Sequence, residues 1–257
     1  MSGELQAGDL VQFLDNKGRK YSAVLTPGKE FHSHSGFVSH ENVIGLAEGS
    51  TVHTGRGQAY VVMRPTLSEF ILKMPRGAQV IYPKDIGPIL MLADIAPGVR
   101  ILESGVGSGA LSTAMLRAGA EIVGYELRED FANRARNNVE QFLGPGALDR
   151  YEVELRDCYE GIDEVELDRV VLDLPEPWQV VKHAERALRP GGIFVAYTPS
   201  VIQVSQLRDA LSDSRFFAAE TVEVLQRGWH VEGQAVRPDH RMVGHTGFLT
   251  HARLGSA

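Results

Sequence analysis

The chain has 257 residues, and 43% of them are hydrophobic, which suits a folded protein with a sizeable core. No apolar run approaches the length of a membrane-spanning helix, and the first residues lack the basic and apolar regions of a secretory signal. The single cysteine, Cys158, excludes an internal disulfide. We therefore expect a cytoplasmic protein that makes no membrane contact.

The formal net charge is −7, which taken alone counts against a nucleic-acid-binding protein, because phosphate attracts Lys and Arg. The charges are unevenly distributed along the chain. Residues 150–176 include ten acids and three bases, whereas residues 227–253 include four Arg, four His and only two acids. Both a local basic face and an ordinary solvated surface fit this pattern.

Residues 1–65 predict a small antiparallel β domain, because short alternating apolar stretches are separated by turn sequences. The predicted strands are 9–14, 21–25 and 58–63. Residues 66–92 are predicted to form a connecting helix and loop. The helix begins with a capping box at Thr66 and ends before Pro75.

Residues 93–257 predict an α/β domain with a mostly parallel sheet, because apolar runs alternate with amphipathic segments of helical length. Two further strands with no helix between them predict a terminal antiparallel hairpin on this sheet. The predicted strands are 99–103, 121–126, 151–155, 169–174, 192–198, 220–226 and 246–252. The predicted helices are 108–118, 129–142, 178–188 and 200–211.

A glycine-rich loop joins the first of these strands to its helix. It reads Glu103-Ser-Gly105-Val-Gly107-Ser-Gly109-Ala-Leu111. Glycines let backbone amides approach a ligand without interference from β-carbons. The loop also satisfies the dinucleotide pattern G-x-G-x-x-G/A, so the motif by itself leaves a dinucleotide oxidoreductase open.

Acids after successive strands favour S-adenosylmethionine over a dinucleotide. Glu103 can help to hold the amino-acid portion of the ligand, Glu126 can accept from both ribose hydroxyls, and Asp157 can accept from the adenine amino group. A plain loop-capping role also fits each acid. The predicted cofactor site comprises Glu103, Gly105, Val106, Gly107, Ser108, Gly109, Ala110, Leu111, Glu126, Asp157 and Asp173.

The predicted catalytic residue is Asp173, in the sequence Asp-Leu-Pro-Glu-Pro-Trp178 at the carboxyl end of a buried strand. A carboxylate there can accept a hydrogen bond from an exocyclic amine, although helix capping is an alternative. Amino-directed methyltransferases usually carry Asn or Asp, Pro, Pro and an aromatic residue here, so this chain departs from that pattern. Tyr82 can stack on a flipped base and Lys84 can meet phosphate, but read alone each residue fits a packing or surface role better.

Two further features predict no chemistry. Cys158 has no activating group in its local sequence, which favours a packing role. The cluster of His32, His34 and His40 is too loosely spaced for metal ligands, so we expect no metal site.

Together the motifs resemble the tRNA (adenine-58-N1) methyltransferases of the TrmI family over most of the chain. The most specific are Tyr82-Pro-Lys-Asp85, Asp-x-x-x-Pro-Trp178 and Gly-His245-Thr-x-Phe-Leu249, in this order. Supporting stretches are 45–49, 64–70, 225–229 and 237–243. Ser104, Val106, Glu176 and Ser200 fill positions that vary in the family.

The resemblance implies a Rossmann-like class I methyltransferase domain, a small N-terminal β domain and a homotetramer. It implies tRNA as the partner, adenine 58 of the T-loop as the target, and S-adenosylmethionine as the cofactor, which leaves as S-adenosylhomocysteine. By matching motifs, Asp173 would contact the target adenine and Tyr82 would line its pocket. The glycine loop, Glu126 and Asp157 would hold the cofactor.

Three other functions compete with this interpretation. The N-terminal domain and the basic tail argue against a methyltransferase for a protein or a small molecule. The intact glycines, Glu126 and Asp173 argue against a non-catalytic tRNA-binding subunit that pairs with an active paralogue. The sequence shows no hydride-transfer residues that would accompany a dinucleotide oxidoreductase.

Overall fold

The structure is a computed structural model that describes residues 3–77 and 79–256. Contacts between Cα atoms divide the chain into two units, with the boundary between Phe70 and Ile71. The three-part division expected from the sequence stays a prediction. Within the described residues, no helix is long and apolar enough to cross a membrane.

The first unit contains a four-stranded antiparallel sheet in the order β2-β1-β6-β5 and a separate hairpin, β3–β4. The strands are β1 (Leu10–Leu14), β2 (Lys20–Val24), β3 (Glu30–Ser33), β4 (Gly36–Ser39), β5 (Thr51–His53) and β6 (Ala59–Met63). Its core is aromatic: the Phe13 and Phe31 rings stack with centroids 4.1 Å apart, and Tyr60 meets Phe31 edge-on at 5.3 Å. The predicted antiparallel β region is confirmed.

Helix α1 (Leu67–Lys73) begins as the sequence predicts. The amide of Thr66 donates to the Glu69 carboxylate at 2.8 Å, and the Glu69 amide donates back to the Thr66 hydroxyl at 3.3 Å. This reciprocal pair satisfies donors that the first turn leaves without helical partners.

The second unit is built on a seven-stranded sheet in the order β12-β15-β11-β10-β7-β8-β9. Strands β7 to β11 are parallel to one another, whereas β15 runs antiparallel to both of its neighbours. The predicted parallel sheet with a terminal antiparallel hairpin is therefore confirmed. The strands of this sheet are β7 (Arg100–Ser104), β8 (Glu121–Glu126), β9 (Tyr151–Leu155), β10 (Leu167–Leu172), β11 (Leu188–Thr198), β12 (Phe216–Glu223) and β15 (Phe248–Leu254), and β13 (Trp229–Glu232) and β14 (Ala235–Pro238) form a separate hairpin.

The helices of this unit follow from apolar periodicity and end signals. Helix α4 carries acids in its first turn, where they complement the helix dipole, and it stops at Gly144, which has a φ of +87°. Helix α6 begins with a capping box between Ser200 and Gln203. The helices are α2 (Pro83–Leu92), α3 (Ala110–Arg117), α4 (Glu129–Leu143), α5 (Val181–Ala187) and α6 (Val201–Ser212).

Three segments differ from the sequence prediction. The segment that forms helix α2 is predicted as loop from the sequence, because Pro83 and Pro88 would normally interrupt a helix. Pro83 nevertheless suits the first turn of a helix, where α2 begins. The helix predicted over 178–188 is a 3-10 turn over Pro177–Val180 followed by the short α5. The segment between β12 and β15 folds into the small hairpin β13–β14.

Candidate active site

The glycine-rich loop connects the carboxyl end of β7 to α3. A β-carbon on Gly105 would overlap the backbone carbonyl of Asp173, and one on Gly109 would lie 3.0 Å from the Cα of Ala135. Both positions also have positive φ angles, of 84° and 79°. Gly107, with a φ of 56°, faces open space instead, because its nearest neighbour would be the Gly105 carbonyl at 3.9 Å. Two glycines thus serve close packing, and the third leaves room beside the loop.

Two buried side chains fix the shape of this loop. Glu126, at the end of β8, accepts from the Gly107 amide at 2.9 Å and from the Arg128 amide at 3.1 Å. Asn138 of α4 donates to the Ser108 carbonyl at 2.8 Å and to the Pro75 carbonyl at 2.9 Å. The loop is therefore held from both sides by hydrogen bonds.

A narrow cleft opens beside the loop. The described residues that line it come from the loop, from the segment before α2 and from the end of β10: Gln79, Val80, Ile81, Glu103, Gly105, Val106, Gly107, Ser108, Ala110, Leu111 and Asp173. The Ser108 hydroxyl is buried and has no hydrogen-bond partner among the described residues. Because buried hydroxyls are normally paired, this unpaired group fits a polar ligand in the cleft.

Two carboxyl groups in the cleft have strongly raised pKa values. Burial raises the pKa of Glu103 to about 8, and the charge of Asp173 adds to this rise. Burial likewise raises the pKa of Asp173 to about 7, with a further contribution from Glu126. The Asp173 carboxylate makes no hydrogen bond to any described residue, which rules out the helix-capping alternative. Such groups in a cleft mark a functional site.

The other predicted site residues lie outside the cleft lining. Gly109 packs closely against Ala135, and Glu126 accepts a hydrogen bond from the Gly107 amide of the loop. Asp157 follows β9 and accepts from the Tyr159 amide at 2.9 Å, which leaves its second oxygen available. Tyr82 is partly exposed just before α2, and it makes no side-chain capping bond there. Their roles toward ligands stay predictions.

The motif at 82–85 meets the motif at 244–249 through buried hydrogen bonds. Asp85 is fully buried, accepts from the Lys84 ammonium at 2.8 Å and accepts from the Thr246 hydroxyl at 2.6 Å. The ammonium also donates to the Val224 carbonyl at 2.7 Å, and the Lys84 side chain is only 7% exposed. The phosphate contact considered for Lys84 is therefore wrong, and its role is structural.

Tyr197 is a residue near Asp173 that the sequence analysis missed. It lies near the carboxyl end of β11, and its hydroxyl donates to the Thr246 carbonyl at 2.6 Å. Burial raises its pKa to about 12, and the charges of Asp85 and Asp173 act in the same direction. A β-carbon on Gly247 would overlap the Tyr197 ring. Gly247 was therefore the one signal in the sequence for this close contact.

No group of acids, histidines and cysteine within the described residues is arranged to hold a metal ion. Cys158 is buried, and burial raises its pKa to about 11, so it is a packing residue in the protonated form. The site thus consists of a glycine loop after the first parallel strand and acids after the strands that follow. This arrangement defines a Rossmann-like class I methyltransferase.

Comparisons with known proteins agree with this class. Residues 57–237 match the family described as tRNA methyltransferase complex GCD14 subunit, and residues 3–52 match the TrmI-like N-terminal family. The chain is 38% identical over 246 residues to the tRNA (adenine(58)-N(1))-methyltransferase TrmI of Thermus thermophilus, which covers 95% of this chain and 96% of that protein. The chain belongs to the TrmI family.

Two crystal structures share the fold over nearly the whole chain. One, titled a SAM-dependent O-methyltransferase from Thermotoga maritima, is 32% identical with a TM-score of 0.92, and it covers 99% of this chain and 96% of its own. The other, the tRNA (m1A58) methyltransferase TrmI from Aquifex aeolicus, is 27% identical with a TM-score of 0.84. The match covers 99% of this chain and 100% of that chain. The expectations of an enzyme, of methyl transfer and of S-adenosylmethionine as cofactor are confirmed.

Proposed function

We propose that the chain transfers a methyl group from S-adenosylmethionine to N1 of adenine 58 in the T-loop of tRNA. The observation that carries this proposal is the buried Asp173 carboxylate, which lines the cleft beside the glycine loop and has no hydrogen-bond partner among the described residues. This carboxylate can accept a hydrogen bond from the amino group of a base such as adenine. The Thermus relative in the same family is named for methylation of adenine 58 at N1.

The cleft, together with the acids beside it, fits the cofactor. The unpaired Ser108 hydroxyl and the open space at Gly107 suit a polar ligand against the loop. Glu103, Glu126 and Asp157 would hold its amino group, its ribose hydroxyls and its adenine amine. When bound, S-adenosylmethionine supplies an electrophilic methyl group on sulfur.

Asp173 and Tyr82 would act on the target base. Adenine N1 carries a lone pair, so no strong general base is needed before attack. The Asp173 carboxylate would accept a hydrogen bond from the exocyclic amine, which orients the ring and offsets the positive charge that develops on it. Tyr82 would receive the base after it swings out of the T-loop.

An exposed basic segment supports tRNA as the substrate. Residues 224–247 leave the sheet at its carboxyl edge, because Glu223 and Thr198 both pair with Phe248. Asp173 follows the neighbouring strand at the same edge. Three arginines of the segment are exposed, namely Arg227, Arg237 and Arg241. These arginines offer phosphate exposed cations on an otherwise acidic chain.

We also propose that the protein is a homotetramer in the cytoplasm. The hairpin β13–β14 supports self-association, because Trp229, Val231 and Val236 are 57%, 69% and 60% exposed. A two-stranded hairpin is only marginally stable alone, so a partner surface would stabilise it. Light scattering on the chain and on Val231→Asp tests this: a tetramer that the substitution breaks is expected, and a fully active monomer would contradict it.

The test of the function is incubation with unmodified tRNA and methyl-labelled cofactor, followed by nucleoside analysis. We expect label in 1-methyladenosine, and none when uridine replaces adenine at position 58. Label in N6-methyladenosine or in a ribose O-methyl group would contradict the proposal. Label confined to protein or small molecules would favour the competing methyltransferases.

A further inference from the structure

Three buried side chains form a hydrogen-bonded chain that ends at the cofactor cleft. The Tyr151 hydroxyl donates to the Ser112 hydroxyl oxygen at 2.9 Å, and the Ser112 hydroxyl donates to Glu103 Oε2 at 2.5 Å. The exposed fractions of Tyr151, Ser112 and Glu103 are 6%, 0% and 2%. The chain thus joins the first residue of β9, through α3, to the end of β7.

The direction of these bonds is fixed by chemistry. Burial raises the pKa of Tyr151 well above its usual range, so the phenol keeps its proton and acts as donor. Ser112 has one proton, and it donates this proton to the Glu103 carboxyl group. Among the described residues, only Ser112 hydrogen-bonds to the Glu103 carboxyl group. The orientation of the Glu103 carboxyl group therefore depends on Tyr151, which does not line the cleft.

Among the described residues, no cation is one of the main electrostatic influences on Glu103. Glu126 at the end of β8 and Asp173 after β10 both act on it with negative charge. Arg136 of α4 acts on Tyr151 instead. A cationic ligand in the cleft would therefore meet an acid that is desolvated, oriented and short of a counter-charge.

We propose that Tyr151 is a positioning residue for the cofactor: through Ser112, it orients the Glu103 carboxylate toward the ammonium group of S-adenosylmethionine. Binding of that ammonium group favours ionised Glu103, and the proton that Glu103 held passes to the solvent. Binding is therefore coupled to proton release. This inference rests on the proposed use of the cofactor by the same cleft.

The test is calorimetry of S-adenosylhomocysteine binding from pH 6 to 9, in two buffers with different heats of ionisation. Tyr151→Phe keeps the ring and should weaken affinity about tenfold, the upper range of the net value of one neutral hydrogen bond. The Tyr151–Ser112 bond favours the ionised form of Glu103 through Ser112. In Tyr151→Phe, the rise of affinity with pH should therefore move to higher pH. Glu103→Gln should lower the number of protons released at pH 7.

Matched variants separate positioning from packing. Tyr125→Phe removes the hydroxyl of another tyrosine of the same sheet, which donates to Glu164 at 2.5 Å, and it should keep the affinity and pH profile of the parent. Ser112→Ala should reproduce Tyr151→Phe. In the Glu103→Gln background, Tyr151→Phe should have no further effect, because both act on one group.

Parent-like affinity in Tyr151→Phe and in Ser112→Ala would overturn the inference, and so would unchanged proton release in Glu103→Gln. Failure of the parent chain to bind the ligand would instead count against the proposed function. Thermal melts show whether each variant is folded. If Tyr151→Phe does not fold, Ser112→Ala decides the outcome.

Discussion

A β-carbon on residue 105 would overlap the backbone carbonyl of Asp173, so the cofactor loop and the proposed catalytic residue pack backbone to backbone. The Asp173 amide also donates to the Ser104 carbonyl at 2.9 Å. Any shift of one strand end therefore moves the other. The expected consequence is that cofactor affinity and turnover change together when this contact is disturbed.

Gly105→Ala tests this contact directly. The added methyl group forces the loop away from Asp173, so we expect weaker cofactor binding and slower methyl transfer. Gly98→Ala is the matched control, because Gly98 has a similar φ of 79° with nothing within 4 Å of a built β-carbon. It should cost only backbone strain, about 1–2 kcal/mol. Calorimetry and single-turnover assays that find equal losses in both variants would contradict this.

Asp173→Asn should slow methyl transfer by roughly 10²–10³-fold, because an amide orients the base but does not offset its positive charge. Only ionised Asp173 does both, and burial raises its pKa to about 7. The single-turnover rate of the parent should therefore rise with pH up to about 7 and then level off. The Asn variant should lack this rise. A near-parent rate for Asp173→Ala would reject the assignment.

Tyr82→Ala should reduce turnover more than Tyr82→Phe, because the ring is proposed to stack on the flipped base. Tyr82 is partly exposed and makes no capping bond in α2, so neither change should unfold the helix. Melting curves provide that control. Equal rates for both variants and the parent on unmodified tRNA would remove Tyr82 from the site.

Glu126→Ala should weaken S-adenosylhomocysteine binding by about 1–3 kcal/mol, the range for charged hydrogen bonds lost at a partly buried site. Part of this loss comes from the Gly107 amide, which Glu126 holds at 2.9 Å. Glu126→Gln keeps an acceptor for that amide and should lose less. Unchanged affinity of a folded Ala variant in calorimetry would count against the role of Glu126.

Glu103→Gln should stabilise the ligand-free protein at alkaline pH. The pKa of Glu103 is raised from 4.5 to about 8 on folding, so the folded state binds more protons between these values. The free energy of unfolding therefore falls as pH rises through this window, and Gln removes that loss. Urea titrations at pH 5 and pH 8.5 should show the benefit growing with pH. A benefit independent of pH would argue against this origin.

The sheet and the cofactor loop could be predicted because their signals are local. Alternating apolar runs specify the strands, and the glycines of the loop lie within nine residues of one another. Contacts between distant segments gave no such signal. Asp85 and Thr246 are 161 residues apart, and Asn138 looks like an ordinary polar residue of α4 until its contacts with Ser108 and Pro75 are known. Helix α2 could not be predicted for a different reason: its prolines, Pro83 and Pro88, are residues that usually end helices.

The position of β15 has a consequence for the order in which the protein is made and folded. Strand β12 pairs only with β15 in the sheet, yet β15 (Phe248–Leu254) follows it by more than twenty residues and also covers the edge of β11. Synthesis therefore produces β12 before its partner, and the edge of β11 stays open to non-native pairing until β15 joins the sheet. We expect the catalytic unit to complete its sheet only after β15 has left the ribosome.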